Sequence, residues 1–408
     1  MMAKVHLFVL IAILFQWNCG NQAVKASDRP LETQPPVGGS LLTGAERMEE
    51  YLPLLEGKKV SLVVNQTSMV GNTHLVDTLL ALGIRIQTIF SPEHGFRGEA
   101  DAGQKIADSR DPETGIQLIS LYGAKHKPAP EDLKGTDLLI FDIQDVGVRF
   151  YTYISTLHFV MEAGAEHHLP VMVLDRPNPN GHYVDGPMLD TAYRSFVAMD
   201  PVPVVYGLTV GEYARMVNGE GWLAGGEKCD LTVIPCLNYT HQTAYELPVK
   251  PSPNLPNMRA IYLYPSTCFF EGTTVSEGRG TSQQFQVYGH PDFKGGDHVF
   301  LPQAKPGAMN PKHKGQLCYG YDLTKLDPDS IRAEKKINLH YLVDFYREFP
   351  DKDKFFLPSN YIDKLAGGTA LREQILAGRT ADEIRASWQK DLEAYKAVRK
   401  KYLLYPES

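Results

Sequence analysis

Apolar runs of strand length alternate with stretches of helical periodicity through the first half of the chain, and this alternation restricts the fold most. Lys59 to Asn65, Ile84 to Phe90, Ile116 to Tyr122, Asp137 to Asp142 and Pro170 to Leu174 are rich in Val, Leu, Ile and Phe. Glu46 to Leu55, Leu75 to Leu82, Pro130 to Leu133 and Ile154 to His168 lie among them and read as helices. A strand that is apolar on both faces has to be covered on both faces, which specifies a parallel sheet between helical layers. The expected fold is α/β: a Rossmann-like, doubly wound parallel sheet over residues 41–207.

Past Gly207 the texture changes, and residues 208–408 read as a smaller α+β domain. Thr209, with Glu212 three residues on, starts a helix to Asn218 in the capping-box pattern. Leu231 to Ile234 reads as a short strand and Pro251 to Pro256 as a rigid extended connector. Helices are expected at Leu339 to Phe349, Ala370 to Leu376 and Ala381 to Tyr402, the last packing back on the first domain.

The amino terminus has a different character. Lys4 precedes an apolar run, Val5 to Trp17, that is short for a bilayer span. Residues 1–26 therefore read as a signal peptide ending at Val24-Lys25-Ala26, and residues 27–40 as a polar linker. Cys19 offers the rival reading of a lipid anchor, although Gln16-Trp17-Asn18 fits a lipobox poorly. Either route exports the chain to the periplasm or the outer cell surface. Export permits disulfides among Cys229, Cys236, Cys268 and Cys318, with Cys229 and Cys236 the nearest pair.

With 408 residues, 43% of them hydrophobic, the chain has enough material for two domains. A net charge of −7, with no Lys/Arg cluster interleaved with aromatics, excludes nucleic acid as a partner. The turn after the first strand, Asn65-Gln66-Thr67-Ser68, carries no GxGxxG fingerprint. The chain also lacks a phosphate loop, a GxSxG elbow and an HExxH helix. No cofactor and no metal are expected.

Polar residues concentrate where the strands end. Asn65-Gln66, Glu93-His94, Asp142 to Asp145 and Asp175 to Asn178 each follow an apolar run. In open α/β sheets, ligands bind outside the carboxyl ends of the strands. Glu93 stands in Ser91-Pro92-Glu93-His94-Gly95-Phe96-Arg97-Gly98-Glu99, among two further charges and an imidazole. Arg149, Tyr151 and Tyr153 approach the start of the next helix, where anions are favoured, although core packing explains the tyrosines equally well. In the second domain, Glu271 to Thr281 makes a glycine-bearing polar loop holding Glu277 and Arg279. It is either a self-paired turn or a flap over the first domain.

Carboxylates without a metal motif or an evident nucleophile suit acid/base cleavage of a glycosidic bond. One carboxyl group protonates the leaving oxygen, and a second acts as base or nucleophile. Glu93 suits the first role, while Glu99, Asp142, Asp145 and Glu271 compete for the second. A metal-dependent hydrolase using His94, Asp142 and Asp145 is a rival reading. A protein that binds such a saccharide without turnover is another.

The segments SPEHGFRG, FDIQDVGVRFYTYIST, LDRPNPNG and EGTTVSEGRGT resemble the exo-acting β-N-acetylmuramidases of glycoside hydrolase family 171. The similarity runs from about Leu41 to the carboxyl terminus. One departure is His182, which stands where the family frequently has a second glycine. The resemblance implies a Rossmann-like domain, a smaller carboxyl-terminal domain and a site in the cleft between them. It also implies release of N-acetylmuramic acid from the non-reducing ends of peptidoglycan fragments, with Glu93 catalytic. The lactyl carboxylate of such a sugar would suit a guanidinium clamp, for which Arg97, Arg149 and Arg279 are the candidates. The sugar's own acetamido group could assist, leaving the second carboxylate to orient it. Asn65, Gln66, His94, Tyr151, Tyr153, Asp175 and Glu277 complete the candidate binding set.

Overall fold

In the computed structural model, which describes residues 39–96 and 108–408 and the backbone of 24 and 25, six parallel strands build the main sheet. They are β1 (Lys59–Val64), β2 (Arg85–Ser91), β3 (Gln117–Ser120), β4 (Leu138–Asp142), β5 (Val171–Leu174) and β6 (Leu231–Ile234). Their spatial order is β3-β2-β1-β4-β5-β6, the doubly wound order of a Rossmann sheet. Short antiparallel pairs, Ser109–Arg110 on β3 and Val24–Lys25 on β6, close the two edges. The direction of winding reverses between β1 and β4.

Side-chain alternation explains why helices cover both faces. Leu62, Ile140 and Met172 point into one apolar core, and their neighbours Val63, Phe141 and Val173 point into the other. Helices α1 (Met48–Leu55) and α2 (Leu75–Ala81) seal the first core through Tyr51, Leu55, Val76 and Leu79. Helices α3 (Tyr153–Glu166) and α4 (Val210–Gly219) seal the second through Leu157, Met161, Tyr213 and Val217. Full burial of each such aliphatic side chain contributes about 1.5–3 kcal/mol. An isolated apolar-to-polar change in β4, buried along its whole length, therefore threatens the sheet.

The second core continues without interruption into the carboxyl-terminal half. There α5 (Met258–Thr267) leads to a three-stranded antiparallel sheet of β7 (Val287–His290), β8 (His298–Phe300) and β9 (Cys318–Asp322), ordered β7-β9-β8. Phe345, on α6 (His340–Glu348), stacks on Phe293 at 4.1 Å. Helices α7 (Tyr361–Ala366), α8 (Ala370–Leu376), α9 (Ala381–Ser387) and α10 (Gln389–Arg399) complete the chain. The last of these does pack back on the first half: Tyr395 donates to the Tyr206 carbonyl and Arg399 to that of Gly207, each at 2.8 Å.

Four expectations need correction. The strand Leu231–Ile234 pairs in parallel with β5, so the first sheet extends well past residue 207. Pro130 to Leu133 forms turns rather than a helix, with Asp132 accepting from the Ala129 amide and Gly135 in the left-handed region. The final helix is broken at Trp388, whose indole is held by Asp185 Oδ1 at 3.0 Å. Cys229, Cys236, Cys268 and Cys318 are all buried free thiols. The expected signal peptide and linker, with Cys19, fall almost wholly outside the described residues.

Candidate active site

Pro92 ends β2 because it has no amide to continue the ladder. The chain then turns through Glu93, His94 and Gly95, closed by the Gly95 amide on the Pro92 carbonyl at 3.0 Å. Gly95 and His94 both take positive φ, +77° and +70°, a conformation that strains a residue with a Cβ. The His94 imidazole is buried against Ser252 Oγ at 3.3 Å. This turn delivers Glu93 to a cavity of about 240 Å³. Thr152, the N-cap of α3, donates to Glu93 Oε2 at 2.9 Å. Tyr122 also hydrogen-bonds Glu93. Burial first, and the Glu93 charge second, raise its phenol above the usual range and keep it protonated as a donor.

The opposite wall comes from the second domain. Arg279 Nη2 bonds Glu271 Oε1 at 2.5 Å, and its Nε lies 3.3 Å from Glu277 Oε1. Lys312 Nζ approaches Glu277 Oε2 at 3.1 Å. Burial works against ionisation of Glu277, but Lys312 and Arg279 outweigh it and hold the carboxyl below its ordinary value. The Arg279 guanidinium also sits over the Phe285 ring at 5.1 Å, a cation–π contact. Phe150, Leu255 and Tyr264 supply apolar wall between these polar groups. Pockets for drug-sized ligands run to about 300–1,000 Å³, so this smaller cavity suits one sugar unit.

Two carboxyl groups thus face one cavity from different domains: Glu93 under hydroxyl donors and Glu271 under a guanidinium. His94, Tyr151 and Arg279 also line it, and Glu277 stands behind Arg279.

The other candidates lie elsewhere. Asp142 is fully buried in a bidentate ion pair with Arg176, at 2.5 and 2.9 Å. Asp145 is buried under the Tyr206 hydroxyl and the Gly147 amide, and burial pushes its carboxyl up to about 7. Asp175 accepts from Thr209, Gly211 and Tyr405 and anchors the start of α4. Arg149 is a structural cross-link, donating to the carbonyls of Pro187, Val202 and Leu365, and burial lowers its pKa to about 9. It is therefore no lactyl clamp. Asn65 closes its own turn through Thr67, and Gln66 Nε2 reaches the carbonyls of Lys250 and Pro251. Tyr153 OH bonds the Pro251 carbonyl at 3.1 Å, joining Tyr151 at 2.7 Å. Arg97 and Glu99 fall outside the described residues.

His94, Asp142 and Asp145 are thus held by three separate protein partners rather than converging on one point. Among the described residues, no group of three His, Cys, Asp or Glu side chains could hold a metal ion.

Tyr122, Thr152, Ser252, Asn254 and Tyr361 line the cavity and escaped the sequence reading. Ser252 and Asn254 belong to the proline-rich connector, which is a wall of the site clamped by the two tyrosines. Thr152 lies inside a segment already singled out, but nothing local marks Tyr361.

Two family models match in tandem. That of the amino-terminal part of the exo-β-N-acetylmuramidase NamZ covers residues 60–259, and that of the carboxyl-terminal part covers 262–405. Their junction follows the last strand of the main sheet. The peptidoglycan β-N-acetylmuramidase NamZ of Bacillus subtilis (strain 168) is 38% identical over 378 residues, spanning 88% of this chain and 89% of that protein. Two crystal structures of DUF1343 family proteins from Bacteroides fragilis NCTC 9343 share the fold. One has a TM-score of 0.84 at 49% identity, covering 91% of this chain and all of the other. The second has a TM-score of 0.71 at 28% identity, covering 90% and 99%. Fold, domain order and sequence agree: the chain belongs to the NamZ family of exo-β-N-acetylmuramidases.

Proposed function

We propose that this protein is an exo-acting glycosidase that releases terminal N-acetylmuramic acid from the non-reducing ends of peptidoglycan fragments such as MurNAc-GlcNAc. The observation that carries the reading is the placement of Glu93 and Glu271 on facing walls of one sugar-sized cavity. Glu93 protonates the glycosidic oxygen as the bond to the anomeric carbon breaks, so the bonding electrons leave with a neutral hydroxyl. Glu271, across the cavity, faces the positive charge that develops on the sugar ring, directly or by orienting the 2-acetamido group. Water then adds at the anomeric carbon and passes its proton to the Glu93 carboxylate, which restores the acid.

Incubation with MurNAc-GlcNAc, followed by NMR of the anomeric proton, tests the reading. Free N-acetylmuramic acid should accumulate in step with free GlcNAc. Persistence of the intact disaccharide would leave a binding protein instead.

Such a substrate lies outside the cytoplasmic membrane, so the chain acts in the periplasm or at the outer surface, in cell-wall turnover or recycling. Mass spectrometry of the mature amino terminus separates cleavage near Ala26 from acylation at Cys19. An unprocessed Met1 terminus would reject export by either route.

A further inference from the structure

A second cavity of about 360 Å³ adjoins the first, and Glu271, Arg279 and Tyr361 line both. Its far wall is the segment from Gly307 to Lys312. This wall is built into the site rather than draped near it. Asn254, on the wall of the first cavity, donates to the Gly307 carbonyl at 2.8 Å. Lys312 Nζ donates to the carbonyls of Phe270 and Val275, at 2.7 and 3.0 Å, on either side of Glu271. Gly280 permits the close approach of Pro311, since a Cβ there would come within 2.5 Å of the proline ring. The backbone of Lys305 and Ala308 closes the turn reciprocally. Met309 and Asn310 stay exposed at its rim.

We propose that this second cavity is the subsite for the saccharide released on cleavage, and that it selects a neutral 2-acetamido sugar. The inference rests on the glycosidase reading. A bond held between Glu93 and Glu271 places the terminal sugar in the first cavity and its leaving partner beyond the shared wall. The charged groups on the second cavity, Glu271, Glu277, Arg279 and Lys312, already neutralise one another. That arrangement leaves no surplus charge to attract an acidic peptide stem. The Asn310 amide offers a donor and an acceptor to an acetamido or hydroxyl group, and Met309 offers apolar surface to a sugar face.

The test compares two substrates of the full-length Met309→Ala/Asn310→Ala protein: MurNAc-GlcNAc and β-muramyl fluoride, whose one-atom leaving group cannot occupy the second cavity. The ratio of kcat/KM for the disaccharide to that for the fluoride should fall about tenfold, as expected for lost leaving-group contacts. Inhibition by free GlcNAc should weaken by a similar factor. An unchanged ratio, whether both rates fall together or neither falls, overturns the subsite. Failure of the wild-type protein to hydrolyse either substrate would instead reject the glycosidase reading beneath it. Both side chains are exposed, so folding is not at stake, and the melting temperature checks this directly.

Discussion

Thr152 Oγ1 donates to Glu93 Oε2 at 2.9 Å, tying the N-cap of α3 to the turn that follows β2. The bond spans a sequence separation of 59 residues and aims the carboxyl group into the cavity. Replacing Glu93 by Gln keeps shape and polarity but removes the transferable proton. Activity on MurNAc-GlcNAc should fall roughly 10²–10⁴-fold, with the melting temperature unchanged. Thr152→Val should cost less, about tenfold in kcat, because Tyr122 still holds the carboxyl group. A fully active Glu93→Gln protein would remove this residue from the chemistry.

Arg279 is the candidate lactyl clamp whose position on the cavity is described. Its Nε and Nη2 already serve Glu277 and Glu271, so a substrate carboxylate would meet the remaining face of the guanidinium. Arg279→Ala should therefore raise KM for a muramyl glycoside more than for the matching glucosaminyl glycoside. Equal losses on the two substrates would assign Arg279 to positioning Glu271 alone.

Arg149 approaches the start of α3, where an anionic substrate is favoured, yet its guanidinium is fully buried among backbone carbonyls of both halves. Arg149→Met would remove the side-chain donor from the carbonyls of Pro187, Val202 and Leu365, of which Val202 keeps the Leu189 amide. Each lost bond costs about 1–3 kcal/mol at most, and such losses do not simply add. The expected outcome is a clear drop in the urea midpoint with KM unchanged in the protein that remains folded. A selective rise in KM at full stability would restore Arg149 to the binding site.

The contrast between Glu93 and Asp142 marks how far sequence reading reaches. Strands β1, β4 and β5 are readable because each is buried almost throughout, and β2 because its second half is, so a carboxylate just past the end of such a strand stands out. The same signal marks Glu93, Asp142, Asp145 and Asp175 alike. What separates them is nonlocal: Asp142 meets Arg176, while Asp175 meets Tyr405 across a separation of 230 residues. Strand order is hidden for the same reason, since hydrogen bonding between distant segments decides it. The affiliation of Leu231–Ile234 could not be read locally, because a strand that short carries no label for the sheet it joins. Lys312 reaches the cleft from a turn and Tyr361 from the first residue of α7, and neither carries a polar motif of its own.

Asp145 yields a prediction about stability rather than turnover. Burial raises its carboxyl from 3.8 to about 7, against the lowering pull of the Tyr206 hydroxyl and backbone amides. A folded-state pKa above the unfolded value means that the native state binds the proton more tightly. The resulting stabilisation is fully present below about pH 3.8 and is lost as pH rises through about 7. Above that, the native protein carries a buried charge. Asp145→Asn keeps an acceptor for Tyr206 and abolishes the titration, so the variant should gain on the wild type between pH 4.5 and 8. A shift of about three pKa units bounds the gain at about 4 kcal/mol. Urea unfolding of both proteins at the two pH values measures it. Parallel stability profiles would mean that Asp145 ionises normally inside the fold, and that the Tyr206 and Gly147 contacts compensate its burial in full.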